Sequence, residues 1–153
     1  MSKIIITGAS GFVGANLVKK ILNKNEIYIF TRKDSDIWRL NDIKSEINIQ
    51  KLNFANKARI ENLVKKIKPE YVFHLATYGG YPFQQNIKKT IETNITCSTN
   101  LMQVLSEYGK LEKFINIGSS SEYGPKTKPM KETDGTEPIF PYGITKLTQT
   151  YFS

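Results

Sequence analysis

Apolar residues in this chain recur at two spacings that alternate from the third residue onward. Lys3 to Thr7 is a β-branched run around Ile4, Ile5 and Ile6 with no polar interruption, as expected of a strand covered on both faces. Phe12, Val13, Leu17, Val18, Ile21 and Leu22 then recur at helical spacing. Ile27 to Phe30 form a second apolar run, and Ile47 to Leu52 a weaker third. Ile60, Leu63, Val64 and Ile67 predict a helix over 58–67, and Pro69 stops it before a fourth strand, Tyr71 to Leu75. A long helical stretch from about Asn86 to Tyr108 closes at Gly109, a residue type suited to the C-cap. Phe114 to Ile117 reads as a fifth strand. Gly124 to Pro141 holds four of the six prolines and reads as a loop, with Pro141 suited to open a last helix.

Repeated β-α-β units with right-handed crossovers predict an α/β fold: a doubly wound, Rossmann-like parallel sheet ordered 3-2-1-4-5. No internal repeat, linker or low-complexity tract interrupts it. The 153 residues read as one dinucleotide-binding domain, 1–153. No apolar run approaches the ~20 residues of a membrane span, and Met-Ser-Lys leads straight into Ile4, too short for a secretory segment. The expectation is a cytoplasmic protein with no membrane partner.

Net charge is +8, which raises the question of nucleic acid. The lysines fall in pairs, Lys19-Lys20, Lys65-Lys66 and Lys88-Lys89, on what read as solvated helix faces. They form no basic block interleaved with aromatics, so a nucleic-acid partner is not expected. The excess charge suits steering of an anionic small substrate. Cys97 is the lone cysteine and reads as a small packing residue. One cysteine and one histidine cannot make a structural zinc site, so no metal is expected.

Three groups of residues carry chemistry. Gly8-Ala9-Ser10-Gly11-Phe12-Val13-Gly14 follows the first strand and opens a helix, spaced G-x-x-G-x-x-G. Gly8 suits a tight turn, Gly11 close approach of backbone to a pyrophosphate, and Gly14 close helix–strand packing. Ser10, Phe12 and Val13 lie between them, where free N–H groups at the helix start can receive phosphate. After the second strand stand Arg32 and Lys33, with no acid until Asp34, and this favours NADP over NAD. The alternative is that both cations are exposed loop charges. Asn53 at the third strand's end could meet an adenine edge, or could simply cap a turn.

Thr7 to Gly14, His74-Leu75-Ala76-Thr77, Asn94 within Thr93-Asn94-Ile95-Thr96, Gly118-Ser119-Ser120-Ser121-Glu122-Tyr123-Gly124, and Pro141-Tyr142-Gly143-Ile144-Thr145-Lys146 appear in that order. Together they resemble the extended short-chain dehydrogenase/reductases that act on nucleotide sugars, in the NAD(P)-dependent epimerase/dehydratase branch. The resemblance implies a nucleotide-sugar substrate and a Ser119, Tyr142 and Lys146 catalytic set. It places Leu75, Ala76, Thr77 and Asn94 near the cofactor, and gives Tyr142 and Lys146 a share in binding it. It also implies a homodimer through the long fourth helix and the Tyr142 helix. The stretch Tyr78 to Pro82 lies where members of the family contact substrate or nicotinamide, though it could equally be a flexible loop.

On a helix, Tyr142 and Lys146 at i and i+4 share a face about 6 Å apart in rise. An ammonium there stabilises negative charge on the phenol oxygen, so Tyr142 can take a hydroxyl proton while Ser119 donates to a developing oxyanion. His74, at the end of a buried strand, reads as a hydrogen-bonded structural residue. Members that dehydrate a sugar carry an acid two positions beyond the catalytic serine. Here that position is Ser121, and Glu122 falls one later, on the opposite strand face, which disfavours dehydration; a one-residue bulge would restore a dehydratase as the alternative. Epimerase or reductase is the leading expectation. The resembling family continues well beyond Lys146, over a segment that completes the sheet and forms the sugar pocket. A competing expectation is therefore a C-terminally incomplete, non-catalytic cofactor-binding fragment.

Overall fold

The computed structural model describes all 153 residues. Five parallel strands form one sheet in the order β3-β2-β1-β4-β5. The strands are β1 (Ser2–Thr7), β2 (Asn25–Thr31), β3 (Asn48–Lys51), β4 (Tyr71–His74) and β5 (Lys113–Asn116). Helices α1 (Phe12–Ile21), α2 (Lys57–Ile67), α3 (Ile87–Ile91), α4 (Cys97–Tyr108) and α5 (Pro141–Phe152) complete it. None is long and apolar enough to cross a membrane. The doubly wound parallel fold and its strand order are those expected from the alternating periodicity.

The isoleucine run of β1 works as a two-sided strand because side chains alternate across the sheet. Ile5 packs on one face with Phe30, Val72 and residues of α2 and α4 such as Val64 and Leu101. Ile4 and Ile6 point the other way, into a core with Val18 of α1, Ile27 and Ile29. A slip of one residue in register would exchange the two sets, and the pairing Ile4↔Ile27, Ile6↔Ile29 holds them apart.

Local signals account for most boundaries. Asn56 caps α2, its side chain accepting from the Arg59 N–H at 3.0 Å. Lys68 ends that helix in the left-handed region at φ 57°, and Pro69 follows. Gly109 closes α4 at φ 63°. Pro141 sits in the first turn of α5, after a loop with neither helix nor strand from Gly124 to Phe140. Two features escape the periodicity. A 3-10 segment, Trp38–Glu46, covers the α1 face with the buried Leu40. The long helix after Asn86 is also not uniform: α3 passes into a π-turn, Glu92–Thr96, before α4 begins. The bulge carries the buried Asn94.

Candidate active site

The glycine turn joins β1 to α1, and close packing explains its residue types. Gly8 has φ +69°, and a Cβ there would stand 2.6 Å from the Leu75 carbonyl carbon of the neighbouring strand end. A Cβ on Gly14 would lie 2.4 Å from the Gly8 oxygen. Gly11 opens α1 without any side-chain cap, so the first-turn amides remain available. Phe12 and Val13 stay exposed above them. The turn forms one wall of a cleft of about 620 Å³ lined by Gly8, Ser10, Gly11, Phe12, Val13 and Gly14. Leu75, Ala76, Thr77 and Arg32 also line it. Backbone approach, uncapped amides and the absence of side chains fit the phosphates of a dinucleotide.

Arg32 leads into an adjoining cavity of about 520 Å³, which it shares with Lys33, Asp34, Asn53, Phe54 and two lysines of α3. Asn53 Oδ1 accepts from the Ala55 N–H at 3.0 Å, a local turn bond. Arg32 Nε lies 3.4 Å from Asp34 Oδ1, so a carboxylate stands beside the cations here. Of the three lysine pairs read as solvated faces, two carry a surface ion pair, Lys19–Asp42 and Lys65–Glu61. In the third, Lys88 is exposed and Lys89 half-buried; both also line this cavity, and Lys89 Nζ stands 4.8 Å above the Tyr78 ring. Their place across from Arg32 was not legible in the sequence because α3 reaches β2 only through the fold.

Asn94 lies behind the cleft wall. Fully buried in the π-turn, it accepts from the Tyr78 N–H at 2.8 Å and from Thr77 Oγ1 at 3.1 Å. Its nitrogen donates to the Tyr78 carbonyl at 2.8 Å and to Thr145 Oγ1 at 3.0 Å. Every polar position of the amide is spent on protein, so Asn94 clasps the Thr77-Tyr78 segment to α5. Gln84 Oε1 holds the next residues, accepting from Gly79 N–H at 2.9 Å and Tyr81 N–H at 3.3 Å. The Tyr78 to Pro82 stretch is therefore a bonded loop, and Gly80 lies against the Tyr142 ring.

Ser119 stands at the head of the 3-10 turn after β5, and α5, which carries Tyr142 and Lys146, packs against that turn; no hydrogen bond joins the three side chains. Ser119 Oγ accepts from the Ser121 N–H at 3.1 Å, which leaves its own O–H free to donate. Tyr142 is half-buried at the start of α5. Lys146 is 3% exposed, and its Nζ donates to the Ile117 carbonyl at 2.5 Å and to Gln149 Oε1. Burial pushes its pKa down to about 8, and the Glu122 carboxylate partly opposes the shift.

A sequence profile of the NAD dependent epimerase/dehydratase family matches residues 4–152. The chain belongs to that family. Protein CapI of Staphylococcus aureus is 31% identical over 94% of this chain and 46% of its own length. The dTDP-D-glucose 4,6-dehydratase of Dictyostelium discoideum is 34% identical over 81% of this chain and 30% of its own. UDP-glucuronic acid 4-epimerase from Bacillus cereus, solved in complex with NAD, superposes with a TM-score of 0.84 at 26% identity. That alignment covers 98% of this chain and 50% of the solved one. The chain thus spans about half the length of the relatives it matches, as the reading of an N-terminal portion anticipates.

Within this family the segment after β5 departs from one expectation. Glu122 is not on a strand face. Residues Ser120–Tyr123 form a 3-10 turn, and Glu122 folds back so that Oε1 accepts the Ser119 N–H at 2.7 Å, completing a capping box. The strand ends at Asn116, so a period-two reading did not apply here. His74 bonds Thr7 Oγ1 at 2.7 Å through Nδ1 and Ser98 Oγ at 2.8 Å through Nε2, the structural role expected of it. Burial pushes its pKa down to about 3, with the Lys146 charge adding to the effect. Gln149 and Ser98 were not singled out by motif. The available signal was spacing alone: Gln149 is three residues after Lys146, on the same helix face.

Proposed function

We propose that this chain is the cofactor-binding portion of a nucleotide-sugar epimerase or reductase, acting through Ser119, Tyr142 and Lys146. The observation that carries the reading is the cradle at the glycine turn. Carbon atoms added at Gly8 or Gly14 would collide with backbone, and the uncapped α1 start opens onto a cleft of about 620 Å³. The relatives lend the substrate class: the Bacillus cereus enzyme was solved with UDP-glucuronic acid and NAD together.

When bound, NAD(P) supplies a hydride acceptor that can also return the hydride. The chain's own residues manage the proton. Tyr142 removes it from the sugar hydroxyl oxygen as the carbon is oxidised, and returns it in the reverse sense. The Lys146 ammonium stabilises negative charge on the phenol oxygen. Ser119 donates its free O–H to the sugar oxygen, while the Ser121 N–H bond orients the hydroxyl. Glu122 is committed to the Ser119 backbone, which supports epimerisation or reduction over dehydration.

Cofactor choice rests on the cavity beyond Arg32. NAD is what the Bacillus cereus relative holds. Arg32, Lys33, Lys88 and Lys89 around one cavity support acceptance of a 2′-phosphate, while Asp34 can accept from an unmodified ribose. Thermal unfolding of 1–153 with saturating NAD⁺ and NADP⁺ tests this. Ligand at 100 times its dissociation constant stabilises by ~2.7 kcal/mol, a rise of several degrees for a domain of this size. A larger rise with NADP⁺ that Arg32→Ala abolishes supports the cation reading. A rise with NAD⁺ alone assigns the ribose to Asp34. No rise with either cofactor sinks the proposal.

A further inference from the structure

Lys146 is a charged side chain inside the protein, and its surroundings must hold it. An ammonium has three N–H donors and no lone pair, so the oxygen of the Gln149 amide has to face it and the nitrogen must face away. That nitrogen donates to Ser98 Oγ at 3.0 Å. Ser98 Oγ meets His74 Nε2 at 2.8 Å, His74 Nδ1 meets Thr7 Oγ1 at 2.7 Å, and Thr7 Oγ1 accepts the Ala76 N–H at 3.1 Å. Gln149 is 1% exposed, His74 2%, and Ser98 and Thr7 are wholly buried. The chain of bonds crosses α5, α4, β4 and β1, and ends one residue before Gly8 and at Ala76, both walls of the cleft.

A buried amide is costly unless both of its ends are bonded, so Gln149 is an unfavourable residue at this site except as a bridge. We propose that Gln149 is the positioning residue of Lys146, linking its ammonium through Ser98 and His74 to the strand end that carries the glycine turn. With one N–H on Gln149 and one on the Ile117 carbonyl, a single N–H is left to serve the reacting side. The inference rests on the reading of Lys146 as the site's lysine. The groups around Lys146 agree with it. Glu122 faces it from the 3-10 turn and His74 from β4, Tyr142 lies one turn back on its own helix, and α4 presents the neutral Ser98. Gln149 is thus a neutral acceptor where a second carboxylate would raise the lysine and an apolar residue would strand it.

The test is the titration of Lys146 in ligand-free 1–153, followed by NMR of labelled lysine side chains and assigned by the signal lost in Lys146→Met. Gln149→Glu should raise the midpoint by about 1–3 pH units, because an opposite charge then faces the ammonium. Gln149→Met should lower it, and Ser98→Ala should lower it by less. Midpoints that do not move in folded Gln149→Met and Gln149→Glu overturn the proposal. If Gln149→Met fails to fold, an unmoved midpoint in both Gln149→Glu and Ser98→Ala overturns it. No cofactor enters this experiment. A chain that fails to bind NAD(P) would sink the proposed function and leave the Lys146 titration readable, and an unmoved midpoint in a chain that binds NAD(P) would sink the positioning role alone.

Discussion

The glycine turn and the neighbourhood of α5 are built from different materials. At the glycine turn the working parts are backbone: uncapped amides of α1, a left-handed Gly8, and positions where a single added carbon would stand 2.4–2.6 Å from a neighbour's main chain. Around α5 the working parts are side chains, with Asn94, Lys146 and Gln149 buried and bonded across four elements. A backbone site forbids atoms and asks little of distant residues. A buried polar site demands a complete set of partners, because each unmet bond costs about 1–3 kcal/mol.

The largest expected effect follows from the backbone end. Gly14→Ala puts a Cβ 2.4 Å from the Gly8 oxygen, and main chain cannot swing aside as a long side chain can. Urea unfolding should report a loss of about 3 kcal/mol, with the cofactor-dependent rise in melting temperature abolished. Wild-type stability with cofactor response intact would break the contrast. Next comes Asn94→Ala, which strands the Tyr78 N–H and frees the Thr77-Tyr78 loop from α5. A loss of about 2 kcal/mol is expected, a fall of roughly 4–8 °C for a domain of this size. An unchanged melting temperature would mean water replaces the amide and the demand for partners is weaker than argued.

The smallest effect near neutral pH, one that grows as the pH falls, is set by protonation. His74 is held neutral, its pKa down from 6.5 to about 3. Above pH 6.5 neither folded nor unfolded chain binds that proton. Below 6.5 the unfolded chain binds it first, so the stability present at neutral pH is lost as the pH falls toward 3, at about 1.4 kcal/mol per unit. Lys146 has the same sign in another window: its pKa falls from 10.5 to about 8, so stability rises between pH 8 and 10.5. Urea unfolding at pH 7.5, 6 and 5 should give a shallower slope for His74→Gln than for wild type. Equal slopes would remove His74 from the buried network.

Local signals made the glycine turn readable because its requirements are short-ranged. Gly14 meets the Gly8 oxygen within seven positions, and only the approach of Gly8 to Leu75 spans a long stretch of sequence. Pro141, Gly109 and Asn56 marked helix ends for the same reason: each acts on backbone a few residues away. That Lys88 and Lys89 also face Arg32 across a cavity was not legible, because nothing in their own helix says where α3 stands. Glu122 was put on a strand because the true end of β5, at Asn116, leaves too few residues for its periodicity to fade visibly. The 3-10 cover over Trp38–Glu46 has neither spacing, so periodicity passes over it.

The order of strands and helices, the two-sided β1 and the tight glycine turn were inherent in residue order, since alternation, helical spacing and steric bulk act through neighbours along the chain. The chain of bonds from Thr7 to Lys146 was decided only by folding. Its members lie 67, 24, 51 and 3 residues apart in sequence. Only the last is a local spacing, and no local pattern encodes the other three. Their bonds exist because the sheet and its crossovers bring four elements to one dry point, where each polar atom must find a partner or destabilise the fold.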